Sequence, residues 1–160
     1  MNSPIVVDLP ADPAATEWLG AWLGEHLLPG DVLGLVGELG AGKTTLVRGL
    51  ARGLGVDDAD AVCSPTYLLV VEHQGRCRLL HADAYLPGKL LGFLEDGGLE
   101  YLFDASAVAV VEWAQRIQNH LPGRRLWVEI AMAPTGGRRV VLRPEGDPGF
   151  PWLAHLPKIP

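Results

Sequence analysis

The stretch that decides the fold is Gly37-Glu38-Leu39-Gly40-Ala41-Gly42-Lys43-Thr44, which matches the phosphate-binding pattern G-x-x-x-x-G-K-S/T. The apolar run at 31–36 before it predicts a short buried strand, and the run at 45–54 after it predicts a helix. In this context successive backbone N–H groups and a helix N-terminus face a phosphate, and the glycines let the backbone approach it closely. The alternative is a glycine-rich turn that precedes Lys-Thr by chance. We predict a nucleotide site at residues 37–45.

Composition predicts a globular chain with its own core. The chain has 160 residues, of which 48% are apolar and 20% are charged, which fits one domain over 1–160. The longest apolar runs are too short to span a bilayer, and the first residues lack the pattern of a signal peptide. Cys63 and Cys77 have no CxxC spacing and are expected to be free thiols rather than a disulfide. The expected location is the cytoplasm, away from the membrane.

The net charge of −6 bears on the kind of partner. A protein that grips nucleic acid unaided normally presents a basic surface, because neutralised phosphates supply much of the affinity. Here the basic residues form scattered pairs, at 48 and 52, 124 and 125, and 138 and 139. Tight binding of nucleic acid without a partner is therefore not expected, and a local basic patch stays open.

The remaining periodicities predict an α/β order of elements. Asp12 followed by Pro13 is typical of a helix start, and apolar residues then recur at helical spacing to about Pro29. The strands predicted at 67–72 and 76–82 form a hairpin around Gln74-Gly75, so the sheet is expected to be mixed but mainly parallel. Strands are predicted at 4–9, 67–72, 76–82, 107–111, 125–131 and 138–143, helices at 89–103 (broken at 97–98) and 113–120, and an irregular tail at about 146–160. Together these elements predict a three-layer fold like that of P-loop NTPases.

Two carboxylates follow apolar strands and are candidates for magnesium chemistry. Asp83 ends the run 78–82, and Glu112 ends the run 107–111. Phosphoryl chemistry needs an acid near the magnesium ion and a group that orients the nucleophile, while the Thr44 hydroxyl suits a magnesium ligand and Lys43 adds a mobile charge. Acidic residues also end strands merely as solvated or capping groups. Both acids together, downstream of a phosphate loop, favour a magnesium-and-water site.

Several other residues allow two interpretations each. The turn Ser64-Pro65-Thr66-Tyr67 is either a capped loop or, from its position, a nucleotide-sensing switch. His81 is favoured as a structural histidine over a metal ligand, because nothing completes a ligand set. Trp113 is either core or a contact to the nucleotide. Arg116 either pairs with Glu112 or reaches a phosphate.

The ordered motifs resemble one known family. Residues 37–45, Ser64–Tyr67, His81-Ala82-Asp83-Ala84-Tyr85 and 111–116 are similar in order and spacing to the motifs of TsaE (YjeE), a bacterial ATPase of tRNA threonylcarbamoyladenosine formation. The chain lacks the guanine-reading Asn-Lys-x-Asp and the Leu-Ser-Gly-Gly-Gln signature of transporter ATPases, which favours ATP and disfavours transporters.

The resemblance implies a role for each matched residue. It implies slow, magnesium-dependent ATP hydrolysis in concert with a TsaB–TsaD-type complex, with tRNA reached only through that complex. Lys43 and Glu112 would be catalytic, Ser64 and Thr66 would form the switch, and Thr44, Asp83 and Glu112 would hold magnesium. The expected nucleotide contacts are Glu38, Leu39, Gly40, Ala41, Gly42, Lys43, Thr44, Thr45 and Trp113. One departure is Leu86, where the family usually has arginine.

Three functions compete at this stage. The first is a partner-controlled ATPase of tRNA modification. The second is a small-molecule phosphotransferase using ATP, in which Arg138, Arg139 and Arg143 belong to a substrate lid. The third is a nucleotide-gated binding module whose hydrolysis is incidental.

Overall fold

The computed structural model of the protein describes residues 3–160. Met1 and Asn2, which belong to the predicted domain and to the N-terminus judged for a signal peptide, lie outside the described residues. The strands are β1 (Ile5–Leu9), β2 (Val32–Val36), β3 (Val70–Gln74), β4 (Arg78–Asp83), β5 (Ala107–Glu112), β6 (Arg125–Met132) and β7 (Arg138–Glu145). The α-helices are α1 (Pro13–His26), α2 (Lys43–Gly53), α3 (Pro87–Phe93) and α4 (Leu99–Leu102). A π-helical turn (Leu94–Gly98) joins α3 to α4, and 3-10 helices cover Ala59–Ala61, Ala114–His120 and Pro151–His155.

The strands form one seven-stranded sheet in the order β1-β7-β6-β2-β5-β4-β3. The predicted α/β fold with a mixed sheet is confirmed. The four central strands β6, β2, β5 and β4 are parallel neighbours, and the outer pairs are antiparallel. Parallel pairing thus describes the centre of the sheet rather than most of it. The carboxyl ends of the parallel strands meet at one edge, which is where α/β sheets bind ligands.

Helices cover both faces of the sheet, which gives the predicted three layers. On one face α1 and α2 pack so closely that a Cβ at Gly20 would lie 2.2 Å from the carbonyl oxygen of Leu46. The predicted start of α1 is confirmed, since the Asp12 carboxylate accepts a hydrogen bond from the Ala14 N–H. On the other face α3, α4 and the turn between them cover β4 and β5 around a second apolar cluster. This packing holds the central strands, and with them the functional edge, in place.

Two predicted elements differ from those observed. Residues 67–69 form a turn rather than the start of a strand, because Leu69 adopts a left-handed φ of 66° and its N–H donates to Pro65. The strand begins only at Val70. The helix expected at 113–120 is a 3-10 helix from Ala114, since Trp113 is left-handed and the backbone at Ile117 is not helical. Both departures lie beside the phosphate loop.

The C-terminal tail packs back on the sheet. Phe150 and Leu153 are buried, and the ring of Trp152 lies 5.6 Å from that of Trp22 on α1. Within the predicted irregular tail, residues 151–155 form a short 3-10 helix. Both cysteines are free thiols, as expected. Within residues 3–160, no helix is long and apolar enough to cross a membrane.

Candidate nucleotide site

The phosphate loop leaves the carboxyl end of β2 and turns directly into α2. Gly40 and Gly42 adopt φ values of 79° and 109°, which side chains with a Cβ rarely adopt. Gly37 is held by close packing instead, since a Cβ there would lie 2.7 Å from the carbonyl oxygen of Ile130 on β6. The loop therefore has the shape, and the helix N-terminus, that a phosphate site requires.

The Lys43 side chain lies inside this loop. Its ammonium donates to the carbonyl oxygen of Gly37, contacts that of Glu38 at 3.3 Å, and lies 4.2 Å from the centroid of the Trp113 ring. Burial lowers the pKa of the Lys43 ammonium, and the carboxylates of Glu112, Asp83 and Glu38 partly offset that shift. Lys43 thus places a buried positive charge inside the phosphate loop.

Asp83 is buried and fully engaged by neighbouring donors. Its Oδ2 accepts hydrogen bonds from the hydroxyls of Ser64 at 2.9 Å and Thr66 at 3.0 Å. Its Oδ1 accepts one from the Tyr85 N–H at 2.7 Å. The switch-like loop is therefore fixed to the end of β4 through this one carboxylate.

Glu112 lies next to Asp83 but in a different environment. The two residues are register partners across β4 and β5. The side chain of Glu112 is 3% exposed, and its Oε2 lies 2.5 Å from Nε2 of His81. The sequence-based preference for a structural rather than metal-binding histidine agrees with this contact.

Trp113 and Arg116 form a second wall beside the loop. The Arg116 guanidinium lies 4.5 Å from the centroid of the Trp113 ring and 5.0 Å from that of Tyr85, and it donates to the Tyr85 carbonyl oxygen. Arg116 therefore stacks on aromatic rings; of the two alternatives for it, the ion pair with Glu112 is not formed, and the phosphate contact stays a prediction. Leu86, at the position where arginine was expected, precedes α3 and is half-buried.

One cavity of about 510 Å³ collects most of these groups. It is open at the carboxyl edge of the sheet. Its lining residues are Glu38, Leu39, Gly40, Gly42, Lys43, Thr44, Thr45, Ser64, Thr66, Tyr67, Tyr85, Glu112, Trp113 and Arg138. The predicted site residues are thus brought together, except that Ala41 and Asp83 lie behind the wall.

Comparison with known proteins decides the family. The family model "Threonylcarbamoyl adenosine biosynthesis protein TsaE" matches residues 10–140. This chain belongs to the TsaE family. A TsaE protein of Bacillus subtilis is 36% identical over 137 residues, which cover 85% of this chain and 84% of the relative. One of Streptomyces coelicolor is 42% identical over 118 residues, covering 72% of this chain and 78% of the relative.

A solved structure gives the same result. The crystal structure of Bacillus subtilis YdiB superposes with a TM-score of 0.76 and 30% sequence identity, over 97% of this chain and 94% of that one. The fold of this TsaE-family chain therefore extends over the N-terminal strand and the C-terminal hairpin, where the sequence motifs gave little guidance.

The residues of this site would fit a magnesium ion only if most of its ligands came from outside the protein. Within residues 3–160, no group of three or more His, Cys, Asp or Glu side chains is placed to hold a metal. Magnesium is commonly bound by one or two protein oxygens together with phosphates and waters. The Thr44 hydroxyl and the Glu112 carboxylate, both in the cavity wall, are donors of that kind.

Sequence reasoning missed two residues of the wall. The Arg138 guanidinium donates from Nε to the Ala41 carbonyl oxygen at 2.8 Å, which braces the phosphate loop from β7. No local pattern predicts this contact, because the two residues are 97 positions apart. Tyr85 was noted only as part of a motif, although its position two residues after Asp83 at a strand end was a usable signal.

Proposed function

We propose that this chain is a magnesium-dependent ATPase that serves threonylcarbamoyladenosine formation in tRNA. The observation that carries the proposal is the single cavity that joins the phosphate loop, Lys43 and the Glu112 carboxylate. Membership of the TsaE family supplies the biological process. The absence of a guanine-reading motif favours ATP as the nucleotide.

The proposed chemistry assigns a task to each side of the cavity. The loop N–H groups and Lys43 bind the phosphates, and Thr44 helps to hold magnesium. When bound, magnesium neutralises charge on the β- and γ-phosphates. Glu112 orients a water molecule and accepts its proton. Asp83 holds the Ser64 and Thr66 hydroxyls near the site, so that the switch-like loop responds to nucleotide.

The surface around the cavity supports control by a protein partner. Three apolar side chains near its mouth are strongly exposed: Leu39 at 74%, Tyr67 at 87% and Leu68 at 72%. Exposed apolar patches are typical of protein–protein contacts. With a net charge of −6, the chain is suited to reach tRNA through a TsaB–TsaD-type complex rather than alone.

ATP turnover with and without that complex and tRNA tests the proposal. The purified chain should hydrolyse ATP slowly and the complex should accelerate it. Lys43→Ala should lower ATP affinity or turnover by at least about 100-fold, because it removes the charge that faces the phosphates. Lys89→Ala, an exposed lysine on α3, is the matched control. ATP binding and turnover unchanged by Lys43→Ala would refute the assignment.

The phosphotransferase alternative loses the observation that motivated it, and the binding-module alternative can be tested directly. The arginines that motivated a substrate lid are engaged elsewhere: Arg139 pairs with Asp8, Arg143 with Glu129, and Arg138 braces the loop. Labelled ATP should therefore release inorganic phosphate and should not label an organic acceptor. The binding-module alternative predicts that Glu112→Ala still supports modification in a reconstituted system, and our proposal predicts that it does not.

A further inference from the structure

His81 is a buried polar residue whose neighbours on the amino-terminal side of β4 and β5 are apolar. It is 0% exposed, and its register partner on β5 is the buried Val110. The neighbouring residues Leu79 and Val108 belong to the same apolar cluster as Val110. Buried polar side chains cost free energy unless they are hydrogen-bonded, so an imidazole in this position needs an explanation.

One of the two imidazole nitrogens, Nε2, makes the hydrogen bond that explains why a histidine is buried here. A carboxylate accepts hydrogen bonds, so Nε2 of His81 carries the proton that is donated to Oε2 of Glu112. Nδ1 is buried and has no hydrogen-bond partner within the described part of the chain. An aliphatic side chain would fill this apolar position without leaving such an atom unpaired. The contact with Glu112 is therefore what distinguishes histidine from leucine here.

That contact fixes one oxygen of Glu112 and leaves the other for the cavity. Among residues 3–160, Oε2 is bonded to His81, and no side chain or N–H donates to Oε1. Glu112 lines the nucleotide cavity. A side chain that orients a water molecule acts only when its rotamer is held within a fraction of an ångström.

We propose that His81 is a positioning residue that holds the Glu112 carboxylate in the orientation needed to direct water at the nucleotide. The inference rests on the proposed ATPase function. His81 itself is fully buried and does not line the cavity. It acts from β4 on the neighbouring strand β5, two residue pairs deeper in the sheet than Asp83.

The test compares three substitutions at this position in the full chain. Single-turnover ATP hydrolysis should fall about 10- to 100-fold in His81→Leu, the range seen when a residue that orients a functional ligand is lost. The dissociation constant for a non-hydrolysable ATP analogue should stay within about threefold. His81→Gln should recover most of the rate, because its amide N–H can occupy the place of Nε2. His81→Asn should not, because its shorter amide mimics Nδ1.

Two controls separate positioning from general damage. His73→Leu removes a half-buried histidine on β3 that has no contact with Glu112, and it should change the rate by less than about twofold. In a Glu112→Ala background, His81→Leu should cause no further loss, because the residue through which it acts is gone. A full additional loss there, or an unchanged rate in the single variant, would overturn the proposal. If His81→Leu does not fold, equal rates in the His81→Gln and His81→Asn variants would overturn the proposal.

A structural readout distinguishes this inference from the function on which it rests. Crystal structures of the wild type and His81→Gln with the analogue should show the Glu112 carboxylate in one place, and His81→Leu or His81→Asn should show it displaced. If the Glu112 carboxylate is undisplaced in both His81→Leu and His81→Asn, the positioning role is overturned even if the protein is an ATPase. A wild type without ATP turnover overturns the proposed function, whatever the carboxylate does.

Discussion

Asp83 and Glu112 are adjacent across two parallel strands, yet their surroundings differ. Asp83 accepts three hydrogen bonds from Ser64, Thr66 and the Tyr85 N–H, and it lies behind the cavity wall. Glu112 accepts one from His81 and lines the cavity. A carboxylate with most of its acceptor sites free at a cavity is available for chemistry, whereas one with most of its sites occupied holds structure. The comparison supports our proposal that Glu112 activates water while Asp83 organises the switch-like loop.

The largest effect should come from removing the Glu112 carboxylate. Glu112→Ala should lower ATP turnover by about 100- to 10,000-fold, the usual contribution of a positioned acid or base. ATP affinity should change little, since the phosphate loop is intact. Rapid-quench kinetics and calorimetric titration measure the two quantities. Turnover within tenfold of wild type would reverse the roles of the two acids.

A smaller effect should follow from removing the hydroxyls that Asp83 holds. If Asp83 and the loop that it holds help to order the magnesium ion, the double variant Ser64→Ala with Thr66→Val should raise the magnesium concentration needed for half-maximal turnover by about tenfold, because a hydrogen bond to a charged group contributes about 1.5–3 kcal/mol. Turnover at saturating magnesium should remain near wild type. A collapse at saturating magnesium would place these hydroxyls in the chemical step instead.

The two acids should also differ in their effect on folding. Asp83→Ala should lower the free energy of unfolding by about 1–3 kcal/mol, because it deprives three donors of their acceptor. Glu112→Ala should cost less, since it breaks one hydrogen bond and leaves one donor, on His81, without its acceptor. Urea denaturation of both variants without nucleotide checks the order. Greater destabilisation by Glu112→Ala would contradict the contrast.

The smallest effect concerns the protonation of Lys43. Burial lowers its pKa, while Glu112 and then Asp83 raise it, so Glu112→Gln should lower that pKa further than Asp83→Asn does. Because the folded state binds this proton less tightly than the unfolded state, the free energy of unfolding should rise with pH between the lowered pKa and the ordinary lysine pKa of 10.5. Lys43→Met should lose this rise. NMR titration of labelled lysine measures the order of the shifts.

The sequence could predict what is local and could not predict how distant groups meet. The phosphate loop lies in consecutive residues, so its pattern alone predicts where the nucleotide site lies. Asp83 and Glu112 were placed together because strand ends of a parallel sheet share an edge. Which acid reaches the cavity depends on Ser64 and His81, which lie 19 and 31 residues from their acceptors. No periodicity encodes such pairings.

The errors in secondary structure have equally specific causes. Residues 67–69 are apolar and were predicted as strand, but the left-handed backbone at Leu69 ends any extended pairing there. Tyr67 and Leu68 are instead exposed beside the cavity. Trp113, also left-handed, starts a 3-10 helix where an α-helix pattern was expected. Both places where local preference is overridden flank the nucleotide site, as expected for functional segments.

Magnesium dependence of turnover in the two alanine variants tests the division of labour most directly. The resemblance assigns Asp83 to magnesium, and Asp83 holds the hydroxyls of the switch-like loop. If that loop helps to order the bound ion, Asp83→Ala should regain turnover to within about tenfold of wild type as magnesium is raised. Glu112→Ala should stay inactive at every magnesium concentration. Recovery of Glu112→Ala by magnesium, with Asp83→Ala remaining inactive, would contradict the account.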